Sequence, residues 1–144
     1  MTTMNKKYTG HCACGQVRYG FDTDPTFIAN CHCTDCKRAS GGERATFVAV
    51  PETDFTFSGP TKSFSYGPNT ETCAGQGFDR VFCTNCGSRF VSNNLKDGSG
   101  VVFVQEGTLD RLDEWFKPTA EILTWSRLPW EPPLDVSQFD HAPS

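Results

Sequence analysis

A chain of 144 residues, 37% apolar and 21% charged, suits one domain, residues 1–144, with a proper hydrophobic core. Its formal net charge of −4 argues against nucleic acid as a partner, and no apolar run approaches membrane-spanning length. The first segment, Met-Thr-Thr-Met-Asn-Lys-Lys-Tyr, has two lysines with no apolar stretch behind them, so it does not read as a secretory signal. A reducing, cytoplasmic setting is expected, where cysteines serve metal or redox chemistry rather than disulfides.

In chain order the pattern is mostly β. Residues 16–21 alternate, with Val17, Tyr19 and Phe21 on one face, and residues 26–29 are short and apolar. Thr34–Ser40 is the helical candidate, stopping at Gly41-Gly42. Its first amides would lower the pKa of nearby thiols. Residues 46–50 and 62–66 read as strands bounded by glycine and proline. Residues 78–82 run into Cys83-Thr-Asn-Cys86 and residues 89–91 run out of it, which reads as a hairpin with a metal turn at its tip. Residues 101–104 form a continuous apolar run, the pattern of a buried central strand. Residues 110–115 suggest a second helical turn and residues 120–125 a last strand. Turn sequences fall at 58–60 and 97–100. The tail, 128–144, holds four of the nine prolines and no regular period. It is expected to be extended and to lie on a surface through Trp130, Leu134 and Phe139.

Seven of the eight cysteines fall into three clusters: Cys12-Ala-Cys14, Cys31-His32-Cys33-Thr-Asp-Cys36, and Cys83-Thr-Asn-Cys86. Such turns deliver two sulfurs from one local bend, as a soft-ligand metal requires. The outer clusters supply four sulfurs, enough to close a tetrahedral, structural site. The middle one supplies three and leaves a position open, the pattern of a zinc that does chemistry. Disulfides and an iron–sulfur cluster compete with zinc. The compartment weighs against the first, and the absence of a Cys-Pro closing an evenly spaced run weighs against the second. Gly15 and Gly87 follow Cys14 and Cys86, where a knuckle turn needs positive φ.

Residues 1–50 carry six basic and four acidic side chains, whereas the rest of the chain is acidic. Lys37, Arg38 and Arg44 sit beside the open cluster. They either hold an anionic substrate or are solvated surface charges. His32, between two candidate ligands, is either an acid–base group for catalysis or a structural histidine. His11 precedes the structural pair and reads as structural.

The segments Gly10-His-Cys-Ala-Cys-Gly-Gln-Val-Arg-Tyr19, Cys31-His-Cys-Thr-Asp-Cys-Lys-Arg-Ala-Ser-Gly41, Phe82-Cys-Thr-Asn-Cys-Gly-Ser88 and Gly107-Thr-Leu-Asp110 resemble the glutathione-dependent formaldehyde-activating enzymes, a family that shares a domain with centromere protein V. The resemblance spans about residues 8–130. It implies a mainly β fold of three small antiparallel sheets in a zinc-stapled tent. It implies a structural zinc on Cys12, Cys14, Cys83 and Cys86, and a catalytic zinc on Cys31, Cys33 and Cys36. The implied reaction is a carbon–sulfur lyase step run in reverse, adding the thiol of glutathione to formaldehyde. The implied partners are therefore a small thiol and an aldehyde.

Two features depart from the family pattern. Cys73 lies outside the motifs, in a glycine-bearing loop. It is a loop residue, a resolving cysteine for redox control, or a fourth ligand that closes the middle cluster. Ala120-Glu121 stands where family members often carry histidine. Two non-enzymatic readings stay open beside the lyase: a zinc-stapled interaction module and a thiol or redox sensor.

Overall fold

The structure is a computed structural model that describes residues 5–25, 27–75, 77–93, 100–112 and 116–141. In chain order the strands are β1 (Tyr8–His11), β2 (Arg18–Phe21), β3 (Ile28–Cys31), β4 (Ala45–Pro51), β5 (Thr56–Ser58), β6 (Thr61–Tyr66), β7 (Phe78–Cys83), β8 (Arg89–Asn93), β9 (Val101–Gln105), β10 (Ala120–Ile122) and β11 (Ser137–Gln138). The helix α1 is Thr34–Ser40, and single turns of 3-10 helix occur at Glu52–Asp54, Glu106–Thr108 and Thr124–Ser126.

The protein is mainly β, as expected. Its strands join in two sheets rather than three: a small one, β1-β2-β5, and a large one, β11-β10-β3-β4-β9-β8-β7-β6. The small sheet is antiparallel throughout. The large sheet is antiparallel except where β10 pairs in parallel with β3 and β11. Ladder pairing between β3 and β4, β4 and β9, and β9 and β8 makes the middle of that sheet continuous.

Side chains alternate across a strand, so the two faces of the large sheet bury different things. Val48 and Val50 of β4 and Val102 and Val104 of β9 meet Val17, Tyr19 and Phe21 of the small-sheet side in the main core. From the same two strands, Ala45, Phe47 and Phe103 face a second core with Cys31, Cys33, Cys36, Ile122 and Leu123. Burial on both faces explains why residues 101–104 read as an unbroken apolar run.

Helix α1 has the bounds its sequence suggests. Cys33 caps it, its sulfur accepting from the Cys36 amide, and Gly41 closes it at φ 71°, where a side chain would be strained. The strand expected at 120–125 stops at Ile122, and Leu123 enters a left-handed conformation before the 3-10 turn. Residues 113–115 of the expected second turn, 97–99 of the expected 97–100 turn, and Thr26 lie outside the described residues. Among the described residues no helix is long and apolar enough to cross a membrane.

Candidate metal centres

The first cysteine group forms where the small sheet meets the β7–β8 hairpin. The sulfurs of Cys12, Cys14, Cys83 and Cys86 all lie within 4.8 Å of one another. Cys12 and Cys14 are 3.5 Å apart and Cys14 and Cys83 3.8 Å. A tetrahedral ion with metal–sulfur bonds of about 2.3 Å needs edges of about 3.8 Å, so this donor set fits. Both knuckles take the expected form. Gly15 at φ 81° donates to the Cys12 carbonyl, and Gly87 at φ 80° donates to that of Cys83. The Val17 amide donates to Cys12 Sγ at 3.2 Å and the Asn85 amide to Cys83 Sγ at 3.4 Å. Ser88 stitches the knuckles together: its Oγ accepts from the Ala13 amide at 2.9 Å and from the Cys86 thiol at 3.3 Å. When Cys86 is a thiolate, the Ser88 hydroxyl and amide donate to it instead, which brings its pKa down to about 5. His11 is structural here, with Nδ1 2.5 Å from Asp110 Oδ1.

The second group contains Cys31, Cys33 and Cys36 as expected, and it also contains Cys73. The four sulfurs lie within 4.8 Å of one another, with Cys73 3.5 Å from Cys33 and 3.4 Å from Cys36. The position left open in the sequence motif therefore has a fourth sulfur beside it. Cys31 ends β3, Cys33 caps α1 and Cys36 lies within it, and all three are buried. Their close packing spreads the acidities apart. Hydrogen bonds from Cys31, Cys36 and Cys73 hold the Cys33 thiol far below its ordinary range, whereas those to Cys33 and Cys36 push Cys31 well up.

Arg80 was not singled out from the sequence. It is 3% exposed, in the middle of β7, with its Nη2 3.5 Å from Cys36 Sγ and 3.8 Å from Cys73 Sγ. Its guanidinium lies over the rings of Tyr66 and Phe78, 5.2 and 4.9 Å from their centroids, and donates to the Tyr66 hydroxyl at 3.1 Å. Burial works against its charge, but Cys36 and Cys73 outweigh burial and raise its pKa. Arg80 also lines a cavity of about 400 Å³ with Arg38, Arg89, Phe64, Tyr66 and Phe82. A neighbouring cavity of about 490 Å³ shares Arg80 and Arg89 and reaches Arg44. The buried cation thus separates the sulfurs from an arginine-lined cleft. A larger cavity of about 550 Å³, between Lys7, Tyr8 and Asp110, contains no cysteine.

A model of the glutathione-dependent formaldehyde-activating enzymes matches residues 7–126. The chain belongs to that family. No curated protein matches it significantly. A crystal structure of a Rhodobacter sphaeroides protein, solved by structural genomics, is similar in fold at a TM-score of 0.56 and 18% identity, covering 74% of this chain and 92% of that one.

Within this formaldehyde-activating fold the remaining candidates separate. Of the cations beside the second group, Lys37 donates to the Ser126 carbonyl at 2.6 Å, Arg44 pairs with Glu131, and Arg38 faces the cleft. His32 is fully buried. Its Nε2 is 2.8 Å from Glu121 Oε1, and its Nδ1 is 3.5 Å from Glu131 Oε2. Glu121 further accepts from Asn30 at 3.2 Å, Arg127 at 3.2 Å, the Leu134 amide at 2.9 Å and Gln138 at 3.0 Å. Burial raises the Glu121 pKa, but the bonds from Gln138, His32, Leu134 and Asn30 together bring it down to about 2. The departure at Ala120-Glu121 is thus a carboxylate set against His32. The tail covers the pair: it supplies Glu131, Leu134 and Gln138, and Trp130 Nε1 anchors it to Glu43 at 2.7 Å.

Proposed function

We propose that the protein is a zinc-dependent enzyme of carbon–sulfur lyase type, working in the reducing cytoplasm, that joins a small thiol to an aldehyde or reverses that step. The first cysteine group would hold a structural zinc and the second a catalytic one. Sulfur adds to the carbonyl carbon, and the thiol's proton ends on the carbonyl oxygen, giving an S-hydroxymethyl product when the aldehyde is formaldehyde. A zinc ion on the second group supplies the Lewis acidity that favours the thiolate form of a substrate thiol. Arg80 offsets the negative charge of the thiolates and also lines the cleft, so it would stabilise an alkoxide forming next to its guanidinium. Arg38 and Arg89 are placed to receive substrate carboxylates, which suits glutathione as the thiol. The observation that carries this reading is Arg80 itself, one guanidinium touching two candidate ligands and lining the cleft.

His32 acts here as a positioning residue. Its Nε2 and Nδ1 face Glu121 and Glu131 and it has no exposed surface, which favours the structural reading over proton transfer to substrate.

The test is zinc content and hemithioacetal formation in Cys36→Ser. One zinc and all activity should be lost while the far-ultraviolet dichroism is kept, and surviving activity would refute the mechanism. A second reading, a non-catalytic zinc-stapled module, is favoured by one observation: Cys73 supplies a fourth sulfur. It requires that no thiol raise or lower the metal's absorption in a cobalt-substituted protein and that no aldehyde be consumed.

A further inference from the structure

Cys73 is the one sulfur of the second group that no strand or helix fixes. Its three neighbours stand at the end of β3, at the cap of α1 and within α1, with exposures of 0, 0 and 2%, whereas Cys73 is half-buried in the loop between β6 and β7. The backbone bonds of that loop close on themselves. The Asn69 amide donates to Gly75 O at 2.9 Å, Thr72 to Asn69 O at 3.3 Å, and Gly77 to Ala74 O at 2.6 Å. The loop is flanked by Gly67 and Gly77, the latter at φ 110°. A side-chain tie from outside comes from Trp125, whose indole donates to Glu71 O at 3.3 Å. Thr72 and Ala74 beside Cys73 are buried, so a movement of the loop is a small one, but among the described residues the loop's backbone bonds lie within it and no sheet ladder has to break. Arg80 stands next to it on β7, with Nη2 3.8 Å from the Cys73 sulfur.

We infer that Cys73 is the resident fourth ligand of the second centre and that the entering substrate thiol takes its place. The inference rests on the thiol-addition reading and adds how a site with four protein sulfurs admits a fifth. The exchange balances without a co-reactant. The entering thiol gives up its proton, Cys73 takes it up, and the number of thiolates at the centre is unchanged. Arg80 therefore faces the same charge before and after, so the exchange demands no rearrangement of the buried cation. The resident sulfur acts as an internal competitor, which weakens thiol binding by the fraction of time its place is vacant.

The test compares the cobalt-loaded wild type with Cys73→Ala. Sulfur-to-cobalt absorption should fall by roughly one-eighth in the variant, because eight cobalt–sulfur bonds become seven. Glutathione should restore the lost intensity in the variant, saturating at one per chain. By equilibrium dialysis it should bind the variant at least about tenfold more tightly than wild type. Unchanged absorption in Cys73→Ala would show that Cys73 is no ligand and overturn the inference. So would equal glutathione affinity in the two proteins. If intensity falls and glutathione does not restore it, wild-type activity separates the causes. An active wild type means the thiol binds elsewhere, which overturns the inference alone. An inactive one overturns the thiol-addition reading and the exchange with it. Should Cys73→Ala fold poorly, the wild-type intensity still decides between eight bonds and seven, and Cys73→Ser provides a second variant.

Discussion

A charge buried beside thiolates is kept by its partners, so among the residues that are not candidate ligands Arg80 is the one whose loss should be felt most at the second centre. Removing one member of a buried charge group typically costs about 3 kcal/mol or more, because the remaining charge is left uncompensated. Arg80→Leu should therefore give up its second zinc at a far lower chelator concentration than wild type, with release of the first zinc unchanged. Arg80→Lys should fall between the two, since an ammonium lacks the planar face that stacks on Tyr66 and Phe78. Glu121 gives a different signature. Its folded pKa of about 2 lies below the ordinary 4.5, so its contribution is complete above 4.5 and is lost as pH falls toward 2. Glu121→Gln should be less stable than wild type near neutrality. The gap should shrink across that acid window in denaturant titrations, and a gap independent of pH would show that the carboxylate's charge is not what His32, Gln138 and the Leu134 amide recognise. Neither residue was conspicuous in the sequence. Arg80 lies in a strand read only as a run into the Cys83 knuckle, and Glu121 appeared only as a departure from the family pattern.

The knuckles and the helix were the most legible elements, because their signals are local. Gly15, Gly41 and Gly87 sit at positive φ where the sequence demanded turns. Gly87 shows the point cleanly: a Cβ there would meet nothing within 4 Å, so Gly87→Ala tests backbone strain alone. It should cost about 1 kcal/mol, read as a lowered midpoint of thermal unfolding with zinc content kept. Losing a ligand from the same hairpin is another matter. Cys83→Ser should unfold the protein or leave it molten, because a structural zinc contributes on the order of 10 kcal/mol to folding and on the first cysteine group would tie the small sheet to β7 and β8. Near-ultraviolet dichroism checks this against the intact fold expected for Cys36→Ser. The eight strands read from alternation or from short apolar runs lie within about three residues of their observed ends. The strands that escaped, β1, β5 and β11, are four residues or fewer and depend on pairing partners for their existence.

At the scale of the whole molecule, the tail is part of the fold. It adds β11 in parallel to β10, and its Glu131, Leu134 and Gln138 close over His32 and Glu121. A chain ending after Leu128 should therefore expose His32, and diethylpyrocarbonate should modify it, whereas full-length protein stays protected there. Equal modification of both proteins would show that the tail does not seal the pair. The sequence by itself determined the mainly β character, the helix, both knuckles of the first centre and three sulfurs of the second. Each of these is written in residues a few positions apart, where turn chemistry and side-chain period act. The tertiary structure alone decided that Cys73 joins Cys31, Cys33 and Cys36, that Arg80 is buried against Cys36 Sγ, and that His32 faces two glutamates under the tail. Those contacts link residues 37 to 99 positions apart, and which side chains meet across such distances depends on the order of strands in the large sheet.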